Sequence, residues 1–329
     1  MIISVVIFEI FLRYSPFSSG ISPVVYDKDI GMWHKKDFSG YLIKECYKNK
    51  YTFDEIGRVA NSYTYEKNKK DIVLLGDSQI EALMVENSKN IHNSLYKELD
   101  DRYNVLNYGL SGTGPSQQYQ ILKNKVELSN VDTIIHFVFL ENDLNDTDPK
   151  NFASTNRPKV YMKFEDLDNY KVIKPRAYGI KEKIRDFLGN FELYAYLKKT
   201  IYYYKYLFEK QDKNNIKIKK EVFQLQNEEY KWTQLQGSVY QINKLTKKLN
   251  IKYKIVIYST YEFKDNYSLK TERFEKFLTS QSISHINLVP FLKDLSKTQS
   301  LSFECDGHWN GDTHEKISSF MIRKMLGNI

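Results

Sequence analysis

The sequence has little glycine, proline and cysteine, and each scarcity excludes a class of protein. Glycine (14 of 329 residues) and proline (7) lie below their average shares of about 7% and 5%, which excludes collagen-like and low-complexity chains. Two cysteines, Cys46 and Cys305, are too few for a disulfide framework or a four-thiolate zinc site. A single bridge between them is one alternative, and we expect the other, two inert buried thiols.

No hydrophobic run reaches the roughly 20 residues that a membrane span needs. Residues 1–15 form a hydrophobic segment, in which Glu9 is the charged residue among mainly apolar residues over 1–12. Neither a basic leader region nor a small-residue cleavage site accompanies it. Two interpretations stay open: a helix packed on the domain, or the end of a membrane anchor.

Positive charge is concentrated in one part of the chain. The net charge is +8, and residues 181–220 contain eleven Lys or Arg against five Asp or Glu, which is +6 in that segment. No helix-turn-helix, zinc-finger or RNA-recognition signature accompanies this charge, so we expect no nucleic-acid partner. Tyrosines among the lysines could meet anionic lipid or a sugar chain, but a helical cap with an apolar inner face is the preferred interpretation.

The 41% of hydrophobic residues is enough for a sizeable core, and it is arranged as apolar runs that alternate with helical patterns. Strands are predicted at 71–75, 104–108, 133–140, 253–258 and 285–288, and helices at 80–99, 116–128, 230–249, 269–279 and 315–326. Alternating strands and helices predict an α/β fold with a parallel central sheet and right-handed crossovers.

The remaining segments do not follow this rhythm. Residues 16–70 show no sustained period and are predicted to be an irregular lead-in. Residues 145–229 are basic, Tyr-rich and helical in pattern, especially over 184–208. They are predicted to be an insertion that separates 71–144 from 230–329.

Two segments at predicted strand ends carry residues suited to nucleophilic catalysis. Gly76-Asp77-Ser78 follows the strand at 71–75, and a serine at such a turn has its hydroxyl above the sheet edge. It is not a Gly-x-Ser-x-Gly elbow, because Ile80 occupies the last position. Asn107-Tyr-Gly-Leu-Ser-Gly112 follows the next strand, and its glycines allow a backbone N–H to approach a reacting atom.

Two further segments supply an amide and an acid–base pair. Leu140-Glu-Asn-Asp143 follows the third strand, where the amide of Asn142 can donate to a developing oxyanion. Asp306-Gly-His308-Trp-Asn310 precedes the last helix, and a carboxylate beside a histidine fixes its tautomer and stabilises its charged form. Glu304 and Asp312 are alternative carboxylate partners, but a two-residue step places Asp306 and His308 on one side of the chain.

A metal site made of Asp306, His308 and His314 is a competing interpretation, which we do not favour because no further ligand has suitable spacing. The other histidines have no such company and are predicted to be core or surface residues; they are His34, His92, His136 and His285. No cofactor or metal is required by the expected chemistry.

In this order the four segments resemble the blocks of the SGNH/GDSL hydrolase superfamily, which carry Ser, Gly, Asn and His. The resemblance covers about residues 71–143 and 250–329 and implies a three-layer α/β/α, flavodoxin-like fold. It implies the nucleophile Ser78, the base His308 with Asp306 behind it, and an oxyanion hole formed by Ser78, Gly112 and Asn142.

Three positions depart from the family's pattern. Phe139 stands where the third block usually has glycine, Thr313 where a glycine often follows the last block, and Asp306 lies two rather than three residues before His308. This spacing is similar to that of bacterial polysaccharide acetyltransferases of the alginate-acetylation type and of envelope proteins ending Asp-Gly-His-Trp-Asn.

Those envelope proteins also begin with a short hydrophobic stretch ending Glu-x-x-x-Arg, as Glu9 and Arg13 do here. The resemblance therefore implies a membrane-anchored protein of the cell envelope with its catalytic domain outside the cytoplasm. A cytoplasmic location is the alternative. The oligomeric state is left open.

The function expected is that of a serine ester hydrolase or O-acyltransferase acting on acyl, in particular acetyl, esters of an envelope polysaccharide. The alternatives are a non-catalytic glycan-binding or scaffold protein on the same fold, an esterase of small lipid esters, and a membrane-surface interaction protein.

Overall fold

The computed structural model describes residues 2–14, 22–100, 102–152, 158–209, 221–258 and 265–326. In those ranges the strands are β1 Val24–Asp27, β2 Gly31–His34, β3 Ser39–Lys44, β4 Tyr47–Thr52, β5 Asp71–Leu75, β6 Asn104–Asn107, β7 Val131–Phe139, β8 Tyr161–Phe164, β9 Tyr170–Ile173, β10 Lys252–Tyr258 and β11 Ser284–Asn287. The α-helices are α1 Ile2–Tyr14, α2 Ser78–Glu81, α3 Ile91–Glu98, α4 Pro115–Lys125, α5 Leu140–Asp146, α6 Ile180–Leu188, α7 Glu192–Glu209, α8 Glu221–Lys248, α9 Asp265–Ser280, α10 Val289–Leu295 and α11 Gly311–Leu326.

The central sheet joins the five strands predicted from apolar runs. Within the described ranges their order is β11-β10-β7-β5-β6, and every neighbouring pair is parallel. Read from β6, this is the 2-1-3-4-5 strand order of flavodoxin-like folds. The predicted α/β class with a parallel central sheet is confirmed.

Helices cover both faces of this sheet, because successive strand residues point to opposite sides. Val73 and Leu75 of β5 pack with α4, α8 and α9, whereas Ile72 and Leu74 pack with α3, α10 and α11. All four side chains are 3% exposed or less. Burial of such a side chain contributes about 1.5–3 kcal/mol. The expected three-layer arrangement is therefore present.

The lead-in at 16–70 is not irregular, and that prediction is wrong for its described part. β1 pairs with β2, and β3 with β4, as two antiparallel hairpins. Strands of four to six residues that are only partly buried leave a weak period-two pattern, because their exposed positions accept Tyr and Lys alike. Such ribbons are marginal alone and depend on contacts with the rest of the domain.

The insertion is helical as predicted, but it also contains a hairpin that the sequence did not indicate. β8 and β9 pair antiparallel, and Tyr161, Met162 and Phe164 of β8 are buried. The helical pattern over 184–208 forms two helices, α6 and α7, and α8 begins before its predicted start, at Glu221. The predicted helix at 80–99 is likewise divided, because α2 ends at Glu81 and its C-cap residue Ala82 has the left-handed conformation with φ +50°.

Helix α1 packs against α7 at the edge of the insertion. Leu12 is buried there, and the Glu9 carboxylate accepts hydrogen bonds from the N–H groups of Glu192 and Leu193 at 2.9 and 2.8 Å. The first N–H groups of a helix have no acceptor within the helix, so the Glu9 carboxylate satisfies two of them and stabilises the start of α7. Most other large side chains of α1 are exposed. None of the helices in the described residues is long and apolar enough to cross a membrane.

The expectation of two free thiols is wrong. Cys46, at the turn between β3 and β4, forms a disulfide with Cys305, with the Cα atoms 5.7 Å apart. Sequence spacing cannot reveal this contact, because 259 positions separate the two residues. The bond joins the lead-in to the segment that precedes α11.

Candidate active site

Ser78 lies at the carboxyl end of β5, as the first residue of α2. Asp77 caps this helix, because its Oδ1 accepts a hydrogen bond from the N–H of Gln79 at 2.9 Å. The glycine turn after β6 packs directly on the same helix: a Cβ on Gly109 would lie 2.3 Å from the backbone nitrogen of Glu81. Ser78 itself is half-buried, so its hydroxyl lies at the surface of a rigid turn.

His308 faces Ser78 from the loop ahead of α11. Its Nε2 is 2.9 Å from Ser78 Oγ. The next residue, Trp309, is fully buried. Its backbone N–H donates to Gln79 Oε1 at 2.9 Å, which connects the loop to α2. The imidazole is 26% exposed, so it is accessible from the cleft.

Asp306 stands behind the imidazole, and its Oδ1 accepts a hydrogen bond from His308 Nδ1. With the proton on Nδ1, Nε2 is free to accept the hydroxyl proton of Ser78. Burial raises the pKa of Asp306, but hydrogen bonds from Lys44, His308 and Tyr47 outweigh it, so the pKa lies below its usual value. The carboxylate is therefore ionised at neutral pH.

The alternative carboxylates lie elsewhere. Glu304 is exposed. Asp312 faces Lys89, with Oδ1 and Nζ 3.0 Å apart. The structure thus brings Asp306, rather than either of these, to His308.

Asn142 lies in the first turn of α5, which begins directly after β7. Its Nδ2 donates to Asp77 Oδ2 at 3.2 Å, and Asp77 Oδ1 accepts a second hydrogen bond from the hydroxyl of Tyr258 at 2.8 Å. A side-chain amide has two N–H donors, so Asn142 can bind Asp77 through one N–H and keep the other for a different acceptor. Burial raises the pKa of Asp77, and the hydrogen bonds from Gln79, Tyr258 and Asn142 offset only part of that rise.

Asp143, next along α5, is completely buried. Its Oδ2 accepts a hydrogen bond from the N–H of Phe139 at 2.8 Å, and Oδ1 has no partner among the described residues. Burial, and then the nearby Asp77, raise the pKa of Asp143 well above its usual value. The raised pKa favours the neutral form of this carboxyl, which closes the turn after β7.

Gly112 lies on the turn after β6 with φ +70°, a conformation that favours glycine. The turn is held by a buried network that sequence reasoning missed: Ser111 donates to Glu81, and Glu81 Oε1 lies 2.6 Å from His34 Nε2. Gly112 borders this network but does not line the described part of the cleft around Ser78.

That cleft has a volume of about 300 Å³. Its described lining consists of Asp77, Ser78, Gln79, Phe139, Glu141, Asn142, Asp306, Gly307 and His308. Three of the four predicted segments therefore meet in one cleft, and the fourth lies beside α2. The bulky Phe139 replaces the family's glycine without separating them.

Four of the other histidines are buried in the core: His34, His92, His136 and His314. Burial lowers the pKa of His92, His136 and His314 to about 3, so all three are neutral at pH 7. In the described residues no group of three or more His, Cys, Asp or Glu side chains is placed to hold a metal ion.

Two contacts to Asp306 come from the lead-in and have no motif to reveal them. Lys44 Nζ and the hydroxyl of Tyr47 donate to Asp306 Oδ2 at 2.5 and 2.8 Å. The sequence contained one usable signal, because a bridge between Cys46 and Cys305 would have placed this hairpin beside Asp306.

Comparisons with known proteins give no match in sequence: no family model matches the chain, and neither does any curated protein. Solved structures do show similarity. The psychrotrophic esterase EstA from a Pseudoalteromonas species has a TM-score of 0.42 and 14% identity, covering 79% of this chain and 100% of its own. Axe2, an acetylxylan esterase from Geobacillus stearothermophilus, has a TM-score of 0.42 and 10% identity, covering 78% and 94%.

A member of the lipolytic G-D-S-L family from Veillonella parvula DSM 2008 has a TM-score of 0.41 and 10% identity, covering 79% of this chain and 100% of its own. These are proteins to which the chain is similar.

Proposed function

We propose that this protein is a serine ester hydrolase or O-acyltransferase of the SGNH type. The observation that carries the proposal is the alignment of Ser78 Oγ, His308 and Asp306, with Nε2 2.9 Å from the hydroxyl and the carboxylate on Nδ1. A nucleophile, a base and an orienting acid within hydrogen-bond reach are the signature of an activated serine.

In the proposed mechanism, His308 Nε2 takes the proton of Ser78 as Oγ attacks the ester carbonyl carbon. Asp306 stabilises the imidazolium that forms. The tetrahedral intermediate collapses, the C–O bond to the alcohol breaks, and the alcohol leaves with the proton from His308. Water, or a sugar hydroxyl in the transferase case, then attacks the acyl-serine by the same route and restores the free enzyme.

For the oxyanion we propose the N–H of Ser78 and the side-chain amide of Asn142, with the N–H of Gly112, which lies outside the described lining of the cleft, as the third donor that the resemblance implies. The hydrogen bond from Asn142 to Asp77 supports this role, because it orients the amide before substrate binds. One donor of this kind typically lowers the barrier by about 3 kcal/mol.

The direct test uses 4-nitrophenyl acetate and a fluorophosphonate serine probe on the purified protein. Turnover and labelling that are both absent from Ser78→Ala support the proposal. An unlabelled, inactive wild-type protein that still binds acetylated oligosaccharide would instead identify a glycan-binding protein on this fold.

For the substrate we propose an acylated, in particular acetylated, polysaccharide. A second groove of about 440 Å³ adjoins the triad through Tyr47, and its lining includes Phe303, Asn49, Asn310 and Glu86. Aromatic rings next to amides and carboxylates suit sugars, which present apolar ring faces and hydroxyl groups. Phe303→Ala should raise KM for an acetylated oligosaccharide while leaving KM for 4-nitrophenyl acetate unchanged; equal effects on both would contradict a glycan groove.

For the location we propose the outer side of a membrane. The disulfide supports an oxidising compartment, where such bonds form and persist. Exposed apolar side chains on α1 and on α6, such as Ile7, Ile180, Ile184 and Phe187, support contact with a bilayer. Co-sedimentation with anionic vesicles should fall when Ile184 and Phe187 are both changed to Ser, and unchanged binding would contradict this surface.

A further inference from the structure

The second oxygen of Asp306 is bound by a part of the molecule outside the resemblance to SGNH enzymes. Oδ1 accepts from His308, while Oδ2 accepts from Lys44 Nζ at 2.5 Å and from the hydroxyl of Tyr47 at 2.8 Å. Both donors belong to the β3–β4 hairpin. The Asp306 side chain is only 5% exposed, so its charge is shared between two cationic or potentially cationic partners in a poorly solvated place.

The hairpin is held in this position by covalent and hydrogen bonds. Its turn residue Cys46 is bonded to Cys305, the immediate neighbour of Asp306, and each of the two backbone N–H groups approaches the opposite sulfur at 3.2 Å. Asn49 of β4 donates to the carbonyl groups of Leu83 and Val85, both at 2.7 Å. The hairpin that carries Lys44 is therefore fixed beside Asp306.

A cation at Oδ2 acts on the imidazole in one direction. Negative charge near an imidazole favours its protonated form, and positive charge disfavours it. The titratable and charged groups that the described residues place against His308 or its carboxylate are Asp306, Asp77, Glu141, His314, Lys44 and Tyr47.

The cationic member of that set is Lys44. His314 is neutral at pH 7, because burial lowers its pKa to about 3. Burial and the neighbouring Asp306 raise the pKa of Tyr47, so its phenol stays protonated and neutral. The positive charge of Lys44 therefore offsets part of the stabilisation that the Asp306 carboxylate gives to the protonated imidazole of His308.

We propose that Lys44 is a positioning residue that acts through Asp306 and lets His308 lose its proton, and so act as a base, at lower pH than an unpaired Ser-His-Asp triad would allow. The inference rests on the proposed function. A purely structural role for Lys44 would lower stability or kcat but would leave the pH dependence of kcat/KM unchanged.

The experiment measures kcat/KM for 4-nitrophenyl acetate from pH 4.5 to 8 in full-length wild type and in Lys44→Gln. The acid limb should move up by about half a pH unit in the variant, a modest shift because the lysine is 47% exposed and partly screened. On the acid side this is about a threefold loss of kcat/KM. Lys44→Arg and the matched control Lys50→Gln, which removes an exposed lysine from the same hairpin, should leave the limb in place.

A second measurement does not depend on turnover. In the Ser78→Ala background, histidine ¹⁵N NMR should show the His308 titration midpoint rising by the same amount when Lys44→Gln is added. An acid limb and NMR midpoint that stay within 0.1 pH unit in Lys44→Gln, while Ser78→Ala is inactive, would overturn the inference alone. Turnover that survives in Ser78→Ala would overturn the proposed function as well.

Discussion

Asp306 is held by two regions that differ in construction. At the sheet edge, β5 and β7 are buried on both faces of the parallel sheet, and Ser78 and Gln79 of α2 contact the loop in which His308 donates to Oδ1. The β3–β4 hairpin is a half-exposed two-stranded ribbon that brings Lys44 and Tyr47 to Oδ2 and is fastened by one disulfide. Under the proposed function, the residues at the sheet edge perform the chemistry and the hairpin adjusts the charge around Asp306.

The largest effect should come from breaking the sheet-edge side. His308→Ala should lower kcat/KM by several orders of magnitude, as Ser78→Ala also should, and the double variant should be scarcely worse than either single one, because the pair is expected to act as a unit. Circular dichroism should show the wild-type fold. Independent, multiplicative losses in the double variant would show that the two residues do not cooperate.

Asp306→Asn changes the contact with His308 and the contacts with the hairpin at once, and it should have the second-largest effect. It should lower kcat by roughly 100-fold or more, because the amide cannot stabilise the imidazolium and can favour the wrong tautomer. Glu304→Gln and Asp312→Asn are matched controls that remove a carboxylate from the same segment and should retain near-wild-type turnover. An active Asp306→Asn beside an inactive control would reassign the acid partner.

Removing the tether should affect the hairpin side first. With Cys46 and Cys305 both changed to Ser, the free energy of unfolding should fall by about 3–5 kcal/mol, because a long loop is no longer closed in the unfolded chain. The melting temperature should fall by roughly 10 °C. Kcat/KM should fall only severalfold. A variant that melts like the oxidised wild type, or wild type that melts unchanged under reductant, would contradict this.

The smallest effect is expected in the pH dependence of stability, to which two carboxyl groups with oppositely shifted pKa values contribute. Asp306, with a lowered pKa, contributes stability that is present above its unfolded pKa and is lost as pH falls through the folded value. Asp143, with a raised pKa, contributes stability that is full below its unfolded pKa and is lost as pH rises through the folded value.

Asp143→Asn should therefore lose less stability than wild type between pH 4.5 and pH 7.5, as measured by urea unfolding at both values. Glu141→Gln, a carboxylate of the same helix, is the control and should follow wild type. A pH dependence in Asp143→Asn equal to that of wild type would show that Asp143 is ionised in the folded protein.

The sheet was predictable to within about two residues at each strand end, because buried parallel strands are short continuous apolar runs with clear flanks. Ser78, Asn142, Asp306 and His308 could be named for a related reason. The carboxyl ends of parallel strands meet at one edge of the sheet, so chain order alone indicates which turns converge.

The hairpins of the lead-in, the β8–β9 ribbon and the disulfide could not be predicted in this way. Each strand of these ribbons has only four to six residues, which is too short for a clear period-two pattern, and the two cysteines lie 259 positions apart. The buried network of Ser111, Glu81 and His34 was missed for the same reason, since nothing local marks His34 as the partner of a residue 47 positions later.

The sequence by itself determined the α/β class, the parallel sheet and the identity of the residues proposed to do the chemistry, because these follow from local hydrophobic period and from short motifs at strand ends. Only the tertiary structure decided that the cysteines pair and that Lys44 and Tyr47 reach the far oxygen of Asp306. These contacts join segments about 260 residues apart. Their free energy depends on distance, burial and charge in the folded chain, which no local pattern encodes.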